Sequence, residues 1–451
     1  MMDTAEAARA TLGRLEGENV RFSGVSTDSR SVAAGDLFIA LKGERFDGHE
    51  YVPRAEQQGA AASMVSRRVE GAKRPEVVVD DTRLALGRLA AHWRARFPLP
   101  VVALTGSNGK TTVKEMLASI LAVHVGARDP VLATEGNLNN DIGMPLTLLK
   151  LRGKHRYAVI EMGMNHEGEI GYLTRIARPT VALVNNAQRA HVGILGSVEA
   201  IARAKGEIYA GLDANGVAVV NEDDAFAAYW SKLNTGRRIV TFGFSARASV
   251  RGSLEEGRVH VVTPDSAFFV ALQVAGDHNV RNALAACAAA HALRVPATAM
   301  QEGLQRFPGV PGRLQRRAGL GGGWVIDDTY NANPESMKAA VKVLAAEPGR
   351  RVFVMGDMGE LGDEAPSMHA EVGEFARGAG IDALIAIGAA SAHAVRAFGP
   401  GAHHFEAVDA ARDAARAEAA AGATVLVKGS RFMQMERVAD ALAAPGGSNA
   451  A

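Results

Sequence analysis

The sequence predicts an α/β protein of three units: a central parallel-sheet domain built around a phosphate loop, a carboxyl-terminal Rossmann-like α/β domain, and a smaller mixed α/β domain at the amino end. Three observations predict it. From residue 101 onward, short apolar runs alternate with amphipathic helical patterns, which implies parallel sheets covered by helices on both faces. Two breaker clusters, Phe97-Pro98-Leu99-Pro100 and Phe307-Pro308-Gly309-Val310-Pro311-Gly312, interrupt that alternation. They divide the 451 residues into pieces 1–98, 99–308 and 309–451, each within the usual domain range.

The first piece has its clearest strand over 36–41. Strands in the middle piece are expected over 101–104, 157–160, 181–184, 217–220 and 238–242. After the first of these, Val113, Met116, Leu117, Ile120 and Leu121 follow the spacing of one helix face. The last piece repeats the scheme, with strands over 324–326, 352–355, 383–387 and 425–427. His403 and His404 have no partner pattern and read as loop surface, while Trp93, Trp230 and Trp324 read as packing residues.

Composition excludes several classes of function. Fifty basic and 49 acidic residues leave a formal charge of +1, so no basic surplus exists to neutralise a nucleic-acid backbone. With 47% hydrophobic and 22% charged residues the chain is not a disordered one. A single cysteine, Cys287, excludes an intrachain disulfide framework and a cysteine-based zinc site. A cytoplasmic monomer is expected. Residues 1–15 lack the apolar core of a signal peptide, and the alanine-rich stretch 283–292 reads as a buried helix, too short to span a membrane. Residues 445–451 read as a frayed tail.

The chemistry starts at Thr105-Gly106-Ser107-Asn108-Gly109-Lys110-Thr111-Thr112, between an expected strand and an expected helix. Glycines let successive N–H groups turn inward, and a helix amino terminus adds positive potential. Lys110 is placed for the β- and γ-phosphates of a nucleotide, and the Thr111 hydroxyl for magnesium. The spacing departs from the general nucleotide-triphosphatase pattern, because Leu104 stands where the first glycine would be. Glu161 ends a strand at the carboxyl edge of the sheet, where ligands bind in such folds, and would share magnesium with Thr111. Asn279 and Asn282 fall on one helix face and can present amides to an adenine or its ribose. Arg313 offers a fork for phosphate, and Asp328 an acceptor for ribose hydroxyls.

The eight-residue loop resembles the ATP loop of the Mur ligase family, which builds the peptide stem of bacterial peptidoglycan. Further segments carry the resemblance in chain order. They include Asn137-Leu-Asn139-Asn140, Ala190-His191, Ala204-Lys205-Gly206-Glu207, Asp277-His278-Asn279, Asp327-Asp328-Thr-Tyr330-Asn331-Ala-Asn333-Pro334, Gly356-Asp357-Met358-Gly-Glu360-Leu361-Gly362 and Lys428-Gly429-Ser430-Arg431. Ser26-Thr-Asp28-Ser29-Arg30 and Phe46-Asp47-Gly48-His49 resemble the family's UDP-sugar domain. One position departs: Gly193 stands where the family often has glutamate after Ala-His.

The resemblance implies an ATP-dependent amide ligase that joins D-alanyl-D-alanine to UDP-N-acetylmuramoyl-tripeptide through an acyl phosphate. It implies two magnesium ions, with His191 as a ligand of the second. Lys205 would support that ion as a carbamate, since an unmodified ammonium cannot ligate a cation. Lys110, Glu161, His191, Lys205 and Arg313 then form the catalytic set. Ser29 and Arg30 would meet the uridine diphosphate, Asn137, Asn139 and Asn140 the sugar or peptide, and Lys428 and Ser430 the dipeptide carboxylate. Other readings are a relative acting on another amino acid or on folate, and a regulatory ATPase that forms no amide. The Asp28-Ser29-Arg30 segment argues against folate, and the Glu161, His191 and Lys205 set against the ATPase.

Overall fold

The computed structural model describes residues 1–444, so the tail at 445–451 lies outside the described residues. Three sheets organise the chain. The first has five strands in the order Arg14–Glu16, Glu76–Val78, Ala62–Val65, Leu37–Ile39, Val25–Ser26, parallel except for the outer pair containing Arg14–Glu16. The expected strand over 36–41 is therefore only its central three residues.

The second sheet has nine strands, and its parallel part runs Val250–Glu255, Arg238–Gly243, Val217–Asn221, Val181–Val184, Val101–Thr105, Tyr157–Glu161, Val131–Ala133. Beyond Val250–Glu255, the strands Arg258–Thr263 and Ser266–Val270 add in antiparallel fashion, so the sheet is mixed rather than purely parallel. The third sheet orders Gln315–Ala318, Trp324–Asp328, Thr424–Lys428, Arg351–Gly356, Ala383–Ile387, Ala402–Phe405, with only Gln315–Ala318 antiparallel. His403 and His404 lie in its edge strand rather than a loop, and a ring nitrogen of His404 bonds Gly388 O at 2.7 Å.

The apolar runs become strands because both faces of each sheet are covered: every residue of Val101–Thr105 and Val181–Val184 is buried. The alanine-rich segment belongs to the helix Asp277–Ala292, which packs on the second sheet with Cys287 fully buried. Small side chains let that helix lie close to the strands.

Core continuity differs between the two junctions. One apolar cluster runs without a break from Leu37, Ile39 and Val77 of the first sheet through Leu86 and Trp93 to Ala103, Ile160 and Ala182 of the second. Polar ties reinforce it, with Trp93 Nε1 donating to Leu151 O at 3.1 Å and Arg94 Nε to Ala177 O at 3.0 Å. The third sheet keeps separate clusters on its two faces, and among the described residues half-buried Val192 is the apolar side chain of the second unit packed against them. No helix among the described residues is long and apolar enough to cross a membrane.

Candidate active site

A cleft of about 1730 Å³ opens between the second and third sheets, and both sides contribute charged groups to it. The strand Val101–Thr105 ends in the phosphate loop, and the helix Lys110–Val125 begins directly after it. Gly109 has φ +79°, and a Cβ there would meet Asn282 Oδ1 at 2.3 Å and Asn185 Nδ2 at 2.6 Å. Only glycine fits that turn. Lys110 Nζ folds back to donate to Gly106 O at 2.8 Å, and its removal from bulk water lowers its pKa against the pull of Glu161. Three residues of the loop, Thr105, Gly106 and Thr111, support the cleft from behind, whereas Ser107, Asn108, Gly109, Lys110 and Thr112 line it.

Glu161 ends its strand 2% exposed. Its Oε1 accepts from Asn139 Nδ2 at 2.7 Å, while Oε2 is buried with no hydrogen-bond partner. An orphaned carboxylate oxygen beside a phosphate loop could hold a hard cation. Lys205, on the helix Val198–Gly206, also lines the cleft at 2% exposure. Burial, and next the charge of Lys110, push its pKa well down, so the amine is held toward its neutral form. Neutral amine is the species that reacts with carbon dioxide.

His191 has φ +65°, and Glu360, across the cleft on the third unit, has φ +63°. The two residues meet, with His191 Nδ1 2.6 Å from Glu360 Oε2 although poorly aligned for a hydrogen bond. Strained backbone of this kind clusters at active sites and ligand clamps. Beside them Gly193 N–H donates to Glu360 O at 2.9 Å, and a Cβ on Gly193 would lie 2.4 Å from Gly362 N. Backbone of the third unit therefore closes directly over Gly193, and Glu360 brings a carboxylate to His191.

Arg313 reaches from the third unit to Thr111, donating from Nη2 to its hydroxyl at 3.0 Å, while Nε is buried and unpartnered. Its guanidinium also covers the Tyr330 ring at 4.2 Å. Asn279 and Asn282 are tied to one another at 3.2 Å, and Asn282 Oδ1 accepts from Asn185 at 3.0 Å, so these amides brace the loop as well as facing the cleft. Asp328 and Lys428, taken from the sequence as two separate contacts, form one buried ion pair at 2.6 Å. Burial raises the Asp328 carboxyl and the Lys428 charge opposes it. Ser430 accepts from Gly359 N–H at 2.8 Å.

Some expected site residues stand apart from the cleft. Asn140 Oδ1 turns onto the chain entering the helix Gly143–Leu149, accepting from Ile142 N–H at 3.2 Å and Gly143 N–H at 2.8 Å. Arg30 pairs with Asp28 at 2.7 Å on the surface of the first unit, and Ser29 beside it is buried. Asn137 and Asn139 do line the cleft.

Several cleft residues were not singled out by sequence. Asn333 exchanges amide bonds with Asn108, at 2.8 and 3.2 Å. Gln188 accepts from Asn108 at 2.6 Å. Outside the cleft lining, Arg189 bonds Glu335 at 2.5 Å and both oxygens of Glu371 at 2.9 Å, tying the second unit to the third. His278 is pushed down to about 4 by burial and by Lys428, which keeps its ring neutral near pH 7. Among the described residues, no group of three or more His, Cys, Asp or Glu is arranged to hold a metal by itself.

Comparison with known proteins covers all three units. Residues 21–94 match the Mur ligase family catalytic domain, 104–290 the Mur ligase middle domain, and 312–431 the Mur ligase glutamate ligase domain. The UDP-N-acetylmuramoyl-tripeptide–D-alanyl-D-alanine ligase of Escherichia coli is 43% identical over 95% of this chain and 96% of its own. MurF from Acinetobacter baumannii superposes with a TM-score of 0.89 at 39% identity, covering 97% of both chains. MurF ligase from Thermotoga maritima, solved in complex with ADP, has a TM-score of 0.80 at 28% identity, covering 93% of this chain and 96% of its own. The chain belongs to the Mur ligase family.

Proposed function

We propose that the protein is an ATP-dependent ligase that adds D-alanyl-D-alanine to UDP-N-acetylmuramoyl-tripeptide, giving the UDP-muramoyl-pentapeptide precursor of peptidoglycan with release of ADP and phosphate. The observation that carries this reading is one cleft where the phosphate loop and Glu161 face Arg313 and Glu360 of another unit. The similarity to the Escherichia coli ligase over nearly the full length supports the substrate pair. Residues 1–98 would bind the UDP-sugar, 99–308 ATP, and 309–451 would complete the ligase site.

Direct displacement of oxide from a carboxylate is prohibitive at neutral pH. The tripeptide carboxylate instead attacks the γ-phosphorus of ATP, the bond to the bridging oxygen breaks, and ADP leaves. The dipeptide amine then attacks the acyl carbon, phosphate leaves, and the nitrogen loses its proton. Such transfer depends on positioning and charge neutralisation. Lys110, released from Gly106 and Ser107 by the triphosphate, supplies charge at the γ-phosphoryl group. Arg313, with its unpaired Nε, adds a second cation from the other side. Asn279, Asn282 and Asp328 line the nucleotide end.

Magnesium fits this donor set as a partner of substrate oxygens. Glu161 has an unbonded oxygen, the Thr111 hydroxyl of the loop meets Arg313, and His191 and Lys205 line the same cleft. When bound, magnesium would draw charge from the phosphoryl oxygens. Lys205 would contribute as a carbamate: its neutral amine adds to carbon dioxide, forming an N–C bond and releasing one proton. Burial that depresses the amine favours this addition.

The test is phosphate release with UDP-N-acetylmuramoyl-tripeptide, comparing D-alanyl-D-alanine with single amino acids and with no amine. Release that requires the dipeptide supports the ligase. Equal release without any amine would defeat it and favour a plain ATPase.

A further inference from the structure

Lys114 lies one helical turn beyond Lys110 on the same helix, yet its side chain is 1% exposed and forms no part of the cleft wall. Its ammonium donates to Thr134 O at 2.5 Å, meets Glu115 Oε1 at 3.0 Å and stands 4.0 Å from Glu161 Oε2. No step of the reaction above uses this lysine. Burying an ammonium is costly, and an apolar side chain of the same length would fill the space without that cost.

Its partners show what the charge holds. Thr134 is a junction: its carbonyl takes Lys114, its hydroxyl accepts from Glu161 N–H at 2.9 Å, and its N–H donates to Val159 O at 3.0 Å. From Thr134 the chain runs to Asn137 and Asn139 on the cleft wall. Asn139 returns to Glu161 Oε1, and its carbonyl accepts from Gly163 N–H at 2.9 Å. Lysine, threonine, glutamate and asparagine thus close a ring that ties the phosphate-loop helix to the segment 134–140.

We propose that Lys114 is a positioning residue: acting through Thr134 and the inner side of Glu161, it holds the segment 134–140 in the arrangement that receives the muramoyl-peptide substrate. The role differs from that of Lys110, because Lys114 touches neither nucleotide nor substrate. It depends on charge, since only a cation serves a carbonyl and two carboxylates at once. The inference rests on the reading of Asn137 and Asn139 as substrate-binding residues.

Calorimetric titration of the whole protein with UDP-N-acetylmuramoyl-tripeptide, and separately with metal-free ADP, tests it. Lys114→Met is expected to weaken tripeptide binding about tenfold, the value of one buried charged hydrogen bond. ADP affinity should stay within about twofold. In turnover, KM for the tripeptide rises while KM for ATP does not. Unchanged tripeptide affinity overturns the inference, and so does a parallel loss for both ligands. Should Lys114→Met not fold, Lys114→Gln, which keeps a donor for the Thr134 carbonyl but carries no charge, must give the same selective loss. Asn137→Ala separates the two readings. Unchanged tripeptide affinity there defeats the substrate-segment assignment, whereas loss there with normal Lys114→Met binding defeats only the role of Lys114.

Discussion

Asn108 and Asn333 exchange two side-chain amide hydrogen bonds across the cleft, Asn333 donating at 2.8 Å and Asn108 at 3.2 Å. Asn108 belongs to the phosphate loop, and Asn333 is also the cap of the helix Pro334–Ala345, with its Oδ1 accepting from Ser336 N–H at 2.9 Å. The nucleotide loop is therefore held in part by the unit that must supply the other half of the site.

Two substitutions at Asn333 separate its duties. Asn333→Ala loses the cap and the cross-cleft pair, so stability should fall by about 1 kcal/mol and turnover with it. Asn333→Asp keeps the cap but sets two acceptors against each other at Asn108. Its melting temperature should stay near that of the parent protein while KM for ATP rises. An Asp variant with normal ATP kinetics would show that the pair is incidental.

Lys110→Ala removes the cation at the γ-phosphoryl group. Turnover should drop by about 10²–10³-fold, the usual effect of losing one preorganised charge-stabilising group. Circular dichroism should be unchanged, because Lys110 bonds only carbonyls of its own loop. Near-normal turnover in the folded variant would remove Lys110 from the mechanism.

Lys205→Ala should be largely inactive, and added acetate should restore part of the activity by returning an anion to the space beside Glu161 and Lys110. Mass spectrometry under carbon dioxide gives an independent readout: the parent protein should carry the carbamate and the alanine variant should not. Full activity in Lys205→Ala would end both the carbamate and the catalytic role.

Arg189 holds the Glu371 carboxyl down to about 2, against an ordinary value of 4.5. A depressed carboxyl contributes its attraction fully above the ordinary value and loses it as pH falls toward 2. The Arg189–Glu371 contact is thus insensitive to pH between 6 and 8 and responds to salt. Solution scattering should show expansion at high ionic strength and in Arg189→Ala, reversed by an ATP analogue with UDP-N-acetylmuramoyl-tripeptide. Coincident profiles for parent and variant, with and without ligands, would mean that this fork does not govern the opening of the cleft.

What the sequence discloses tracks how local the causes are. Buried strands such as Val181–Val184 announce themselves as unbroken apolar runs, and Gly109 announces a turn. The antiparallel addition Arg258–Thr263 and Ser266–Val270 is half exposed, and in its first strand buried Val259, Val261 and Thr263 alternate with outward residues, so that strand is marked by alternation rather than by an unbroken apolar run. Asn140 sits a few positions before an apolar segment, a legible helix-entry signal that the surrounding asparagines obscured. Other contacts have no local trace. Lys428 finds Asp328 a hundred residues away, Arg189 finds Glu371, and Glu360 fills the place opposite Gly193. Charged residues read singly look like solvated surface until the fold supplies their partners.

The unbroken apolar cluster between the first two sheets has a mechanical consequence. With no seam between them, the UDP-binding end proposed at Ser29 and Arg30 stands at a fixed span from the phosphate loop. A substrate anchored at one end and activated at the other is then measured like a rod in a gauge. A stem one residue too short leaves its carboxylate shy of the γ-phosphate, and one too long folds back on itself. On the proposed placing of the UDP end, selection for a tripeptide would fall to the two units that share one core, and the third unit would be left to choose the amine.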